Sequence, residues 1–149
     1  MNDLFSTPFE TGLRALLILY TTKSRGMTID RLTAYDFMTI YGHEFGVSEN
    51  NLHGINHYSF SEFTFKRVTC SEGVKAFVLD GLISVTQSEK KGYLYSLSST
   101  GRKYVVTLES DYKDQYMETL VKVHDEFRRV PDADLIKTIN QAAITSLRR

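Results

Sequence analysis

The chain has 149 residues, 18 of them basic and 18 acidic, and its formal charge is zero. That length suits one domain, residues 1–149, with a proper buried core, and the balance excludes a uniformly basic nucleic-acid-binding domain while leaving room for a local basic patch. A single cysteine, Cys70, excludes an internal disulfide. No secretory leader is recognisable, and no apolar run approaches the roughly 20 residues of a bilayer span, so the expected setting is a reducing cytoplasm without membrane contact.

Residues 1–6 read as a loose leader. Thr7-Pro8-Phe9-Glu10 then marks a helix start: Thr7 caps, Pro8 suits the first helical position, and Glu10 falls where a capping box needs it. Phe9, Leu13, Leu16, Leu17 and Tyr20 form the expected buried stripe, and Gly26 the expected stop. Thr28 caps a second helix over 29–41, with Ile29, Leu32, Tyr35 or Phe37, and Ile40 turned inward and Gly42 beyond its end. Residues 43–60, rich in Asn, Gly and His, lack periodicity and read as a long loop, a feature that in a small domain is often functional.

The stretch 67–108 organises the rest. Cys70, Val74, Phe77 and Val78 share one face of a helix covering at least Arg67 to Asp80, and Gly81 supplies the left-handed residue that closes it. The start of this helix is ambiguous, since Phe63, Phe65 and Val68 alternate with polar residues as in an extended segment. Leu82, Ile83 and Val85 read as a strand, 89–92 as a polar turn, and Tyr93, Leu94, Tyr95 and Leu97 as the returning strand. Ser98 or Ser99 caps the next helix, in which Tyr104, Val105 and Leu108 face inward. Tyr112, Tyr116, Leu120, Val123 and Phe127 define a long helix over 111–130, which Pro131 breaks. Asp132 is the expected cap of a last helix carrying Leu135, Ile136, Ile139 and Ala143 and ending in Leu147-Arg148-Arg149. The fold class is thus mostly α with a small β-wing. A winged helix-turn-helix core would span 7–108, with a C-terminal helical pair, 111–149, packed back on the first helix.

No sequence motif for catalysis emerges. There is no phosphate-cradling GxxxxGK[ST] or GxGxxG run, and no pair of carboxylates stands out. His43, His53 and His57 share one loop, but a metal site needs three or four converging ligands; they read as surface histidines, and no metal or other cofactor is expected. Cys70 lies on an apolar helix face, the place of an inert buried thiol rather than of a nucleophile. The chain is therefore expected not to be an enzyme.

Two binding readings remain. Lys90 and Lys91 at the wing tip, with Arg102 and Lys103 at the start of the next helix, are candidate nucleic-acid contacts, since wings lie against phosphates. The preceding helix carries polar residues of mixed sign (Lys66, Arg67, Glu72, Lys75, Asp80), a poor surface for reading bases. Protein partners are suggested by nine tyrosines and nine phenylalanines: Tyr58, Phe60, Phe63, Phe65, Tyr93 and Tyr95 fall on no obvious core face and are candidate partner-binding residues.

Taken together, the pattern resembles a family. The opening Pro8-Phe9-Glu10-Thr11-Gly12-Leu13-Arg14-Ala15-Leu16-Leu17-Ile18-Leu19 is similar to the start of the middle components of bacterial ABC-three component systems. So are Ile29-Asp30-Arg31-Leu32 leading the second helix, Phe65-Lys66-Arg67 and Gly73 ahead of Leu79-Asp80-Gly81-Leu82-Ile83, the wing, and the helical tail from Asp111. The 43–60 loop lies outside the resemblance. It implies a winged-helix subunit of Lamassu-like, SMC-associated anti-phage defence systems, partnered by an SMC-like ATPase and a nuclease-like effector. The chain would act there as a non-enzymatic adaptor that restrains the effector until foreign DNA is sensed, with non-specific DNA contact inside the complex. The competing expectation is a winged-helix transcription regulator, homodimeric through the 111–130 helix and bound to a palindromic site.

Overall fold

A computed structural model describes residues 7–54 and 60–147, which are mostly helical with one small antiparallel sheet. The leader 1–6, His57 and Tyr58, and Arg148 and Arg149 lie outside the described residues. The first helix, α1 (Pro8–Thr22), begins as the sequence predicts, with the Thr7 hydroxyl accepting a hydrogen bond from the Glu10 N–H at 3.1 Å. It stops before Gly26, because Lys23 itself takes the left-handed conformation at φ 53°. The buried surface of α1 is wider than a stripe: apart from half-buried Leu13, every residue from Thr11 to Leu19 is buried. Helices packed on several sides enclose it. Phe9 departs from the expected stripe and is 58% exposed. It sits in the first turn, at the edge of the helix packing, where its ring meets Phe77 at 5.9 Å.

The second helix, α2 (Ile29–Ile40), starts at the expected cap, Thr28, which accepts from the Arg31 N–H at 3.1 Å. Every residue from Leu32 to Ile40 is buried, including both Tyr35 and Phe37. From Tyr41 the chain runs through consecutive turns rather than a helix. Bonds from Val47 N–H to the Gly42 carbonyl (2.9 Å) and from Leu52 N–H to the Ile40 carbonyl (2.8 Å) hold them in place.

The third helix, α3 (Phe60–Leu79), starts earlier than residue 67. The alternation that mimics an extended segment has a helical cause: apolar residues occupy two different faces. Phe63, Thr69, Cys70, Gly73, Val74 and Phe77 are buried, whereas Phe65, Val68 and Leu79 point outward, 60%, 55% and 88% exposed. Lys66, read as a surface residue, is buried as well. The crossing of α1 and α3 is a backbone contact, for a Cβ on Gly73 would stand 2.2 Å from the Pro8 carbonyl oxygen. Gly81 closes the end of α3 at φ 80°.

The hairpin β1 (Ile83–Ser88) and β2 (Gly92–Leu97) pairs in antiparallel register from Ile83 opposite Leu97 to Ser88 opposite Gly92. Met27, between α1 and α2, extends this sheet by a bridge to Tyr95, with both N–H···O bonds at 2.8 Å. Ser98 is the cap of α4 (Ser99–Thr107). Its hydroxyl accepts from the Gly101 N–H at 2.9 Å and donates to the Gly81 carbonyl at 2.6 Å, joining the two ends of the hairpin.

Helix α5 (Asp111–Phe127) packs on α1 and α2, whereas α6 (Asp132–Leu147) packs chiefly on α2. α5 ends at Phe127 rather than Val130. Arg31 reaches over from α2 and donates to the carbonyls of Phe127 (3.0 Å), Arg128 (3.0 Å) and Val130 (2.8 Å) in a sharp elbow. Asp132 is not the cap expected of it. Its carboxylate accepts instead from the Thr28 hydroxyl at 2.6 Å and from Arg31 at 2.9 Å, and the backbone carbonyl of Pro131 accepts from the Asp134 and Leu135 N–H groups.

Candidate functional site

Two concentrations of charge stand apart in the molecule. The first is buried. Arg14 of α1 donates to both carboxylate oxygens of Asp36 on α2, at 2.8 and 3.2 Å, and the Tyr116 hydroxyl of α5 donates to the same carboxylate at 2.5 Å. Burial by itself would raise the Asp36 pKa. The charges of Arg14 and Lys66 and the two hydrogen bonds outweigh it and hold the carboxyl below its usual range. His53, from the turn region, stacks on Tyr112 and shares a 2.6 Å hydrogen bond with its hydroxyl. Burial and the nearby Arg14 charge press the His53 pKa down to about 4, so the ring is neutral at ordinary pH. Arg14, Asp36 and Tyr116 are buried and hydrogen-bonded to one another, which makes the cluster a tie between helices rather than a binding site.

The second concentration is open to solvent. A cleft of about 1010 Å³ lies between the hairpin, the start of α2, one side of α3 and the α5–α6 elbow. Arg67, Ser71 and Lys75 line its α3 wall, spaced by four residues so that they form one row. The hairpin contributes Lys90, Lys91 and Tyr93, and the elbow contributes Arg128 and Arg129. With Arg31, seven basic side chains line the cleft against two acidic ones, Asp30 and Asp132. Both acids are engaged: Asp30 pairs with Arg67, and Asp132 with Arg31. Among the described residues, Lys75, Lys90, Lys91, Arg128 and Arg129 form no ion pair and all are exposed. A chain of zero net charge therefore carries a strongly positive concavity. His124 in its wall registers the field: burial first, then the Arg128 and Arg31 charges, lower its pKa.

The sequence-derived candidates divide accordingly. Lys90 and Lys91 line the cleft, whereas Arg102 and Lys103 do not; Arg102 lies over the Tyr20 ring at 5.9 Å, on α4. Of the aromatics, Tyr93 and Tyr95 both line the cleft but only Tyr93 is exposed, at 60%, and Phe65 stands outward on α3. Phe63 and Tyr95 are not surface residues. They are 3% and 7% exposed, because Phe63 packs edge-on against Phe37 and the Met27 bridge draws Tyr95 into the core. Phe60 is half-buried, stacked on Phe63 at 5.5 Å. Arg67 and Lys75 escape a sequence reading that treats the charges of α3 as one mixed set, and Arg128 and Arg129 escape one that reads 111–130 as continuous helix. The four-residue row of Arg67 and Lys75, which Glu72 and Asp80 do not share, was the available signal.

No group of three or more His, Cys, Asp or Glu residues converges to hold a metal ion among the described residues. Cys70 is buried, and burial pushes its thiol up to about 12, far from a reactive thiolate. No helix among the described residues is long and apolar enough to cross a membrane.

The protein is mostly helical with a small β-wing, and it carries a solvent-open basic cleft and outward apolar side chains on α3. The model of the ABC-three component (ABC-3C) system Middle Component 2 family matches residues 4–149, and the chain belongs to that family. It is thus a component of an ABC-three component system, with other components as partners. Comparison with curated proteins and with solved structures finds no match.

Proposed function

We propose that this chain is a non-enzymatic adaptor subunit of an anti-phage ABC-three component complex. It bridges an SMC-like ATPase and a nuclease-like effector and restrains the effector until foreign DNA is sensed. In this reading α2, α3, the hairpin and α4 make up a winged helix-turn-helix used mainly to join proteins. The observation that carries it is the outer edge of α3, where Phe65, Val68 and Leu79 recur on one helical face and stand 55–88% exposed. Large apolar side chains left exposed along one side of a helix characterise a protein-binding surface more than a catalytic one. Membership in a middle-component family supports the same conclusion.

The test is a pull-down of the tagged chain from its native host, beside a Phe65→Asp/Leu79→Asp variant. Recovery of a coiled-coil ATPase together with a nuclease, both lost in the variant, supports the adaptor. A competing reading, a homodimeric winged-helix regulator, draws on the basic wing with Lys90 and Lys91. Recovery of the chain with only itself and one specific promoter fragment would establish that reading and remove the adaptor.

A further inference from the structure

We infer that the basic cleft is a binding site for single-stranded nucleic acid, gripped through its phosphates and with a base stacked on Tyr93. Charge complementarity carries this assignment. Five exposed cations, Lys75, Lys90, Lys91, Arg128 and Arg129, converge from three separate elements on one cavity. The two acids present are already neutralised by Arg31 and Arg67. So many like charges around one concavity concentrate positive potential there, and a polyanion binds to it with release of its own counterions.

The shape selects the kind of strand. Reading a duplex requires a convex helix or ribbon that enters a groove. Here the cations line a concavity of about 1010 Å³, at the upper end of the size that encloses small ligands, which admits an extended strand but does not surround a duplex. An exposed aromatic ring amid cations is the arrangement that stacks bases without regard to sequence, and Tyr93 supplies it at 60% exposure. Arg31 is fully occupied with the elbow carbonyls and Asp132, and so serves to hold Arg128 and Arg129 in place rather than to meet the strand.

This inference does not rest on the adaptor reading, and its test uses the 149-residue chain alone, so either can fail without the other. Fluorescence anisotropy would follow binding of a labelled oligothymidylate, and of a duplex of equal length, at increasing salt. The single strand should bind more tightly, with log K falling linearly against log salt by about 0.7 per phosphate neutralised. Arg128→Glu/Arg129→Glu should weaken it at least tenfold, and Tyr93→Ala about tenfold on the single strand. Arg102→Glu/Lys103→Glu, equally basic but outside the cleft, should change nothing. Circular dichroism melts would verify that each variant, all at exposed positions, is folded. Three results overturn the inference: no salt-dependent binding; equal loss in the Arg102/Lys103 variant; or duplex binding as tight as single-strand binding with Tyr93→Ala silent. So does retention of the oligonucleotide by the cleft variants with loss of a protein partner, which would make the occupant an acidic protein surface.

Discussion

The buried cluster around Asp36 and the open cleft beside the hairpin use the same kinds of side chain to opposite ends. In the first, Arg14, Lys66 and Tyr116 surround one carboxylate, and hydrogen bonds compensate the cost of taking these charges out of water. In the second, five cations stand in water with no carboxylate among the described residues to answer them. Charge that is paired and dry holds helices together, whereas charge that is unpaired and wet is available to a ligand. Arg31 lies between the two: it lines the cleft yet is spent on structure, tying α2 to the elbow.

That contrast can be broken most sharply at Asp36. Asp36→Ala strands the Arg14 charge in the core and should cost about 3–5 kcal/mol in urea unfolding. Arg14→Met/Asp36→Leu/Lys66→Met/Tyr116→Phe, which removes the buried charges and the hydroxyl together, should recover much of that loss. Recovery of nothing would mean that the cluster itself, rather than the stranded charge, supplies the stability. Arg31→Ala should cost less, about 1.5–3 kcal/mol, for its charged hydrogen bonds. Amide exchange should then quicken first at residues 127–132, and oligonucleotide affinity should fall as the elbow loosens.

The pH profile sharpens the comparison further. His53 is held near 4 in the folded chain against an ordinary 6.5, so the unfolded chain binds a proton that the folded one refuses. Stability is therefore complete above about pH 6.5 and declines as pH falls toward 4, with His124, also lowered, acting in the same direction. Asp36, held below 3.8, adds a second loss at still lower pH. His53→Gln, which keeps a hydrogen-bonding group toward Tyr112, should reduce the first slope in pH-dependent thermal melts to the part His124 supplies and leave the second. The smallest effect on stability belongs to Lys90→Glu/Lys91→Glu, which should stay within about 0.5 kcal/mol of the parent in urea melts while oligonucleotide affinity drops. Exposed charges contribute little to folding; their weight appears only in binding.

Local chemistry made most elements legible before any coordinates. Thr7, Thr28 and Ser98 cap the helices expected of them, Gly81 closes α3, and the polar turn at 89–92 joins the two strands, because each of these acts within four residues of chain. Errors arose where distant chain decides the outcome. Asp132 looks like a cap, yet Thr28 and Arg31, about a hundred residues earlier, take its carboxylate. Phe63 and Tyr95 look spare, yet both are buried, Phe63 against Phe37 and Tyr95 on a strand whose backbone pairs with Met27. Lys66 looks exposed, yet the packing of α3 buries it, and that burial lowers its pKa against the pull of Asp36. The cleft is the largest case. The sequence determined where each cation falls along the chain and which share a helical side. Only tertiary packing set the hairpin, α3 and the elbow around one cavity, because that convergence depends on long-range contacts that no local spacing encodes.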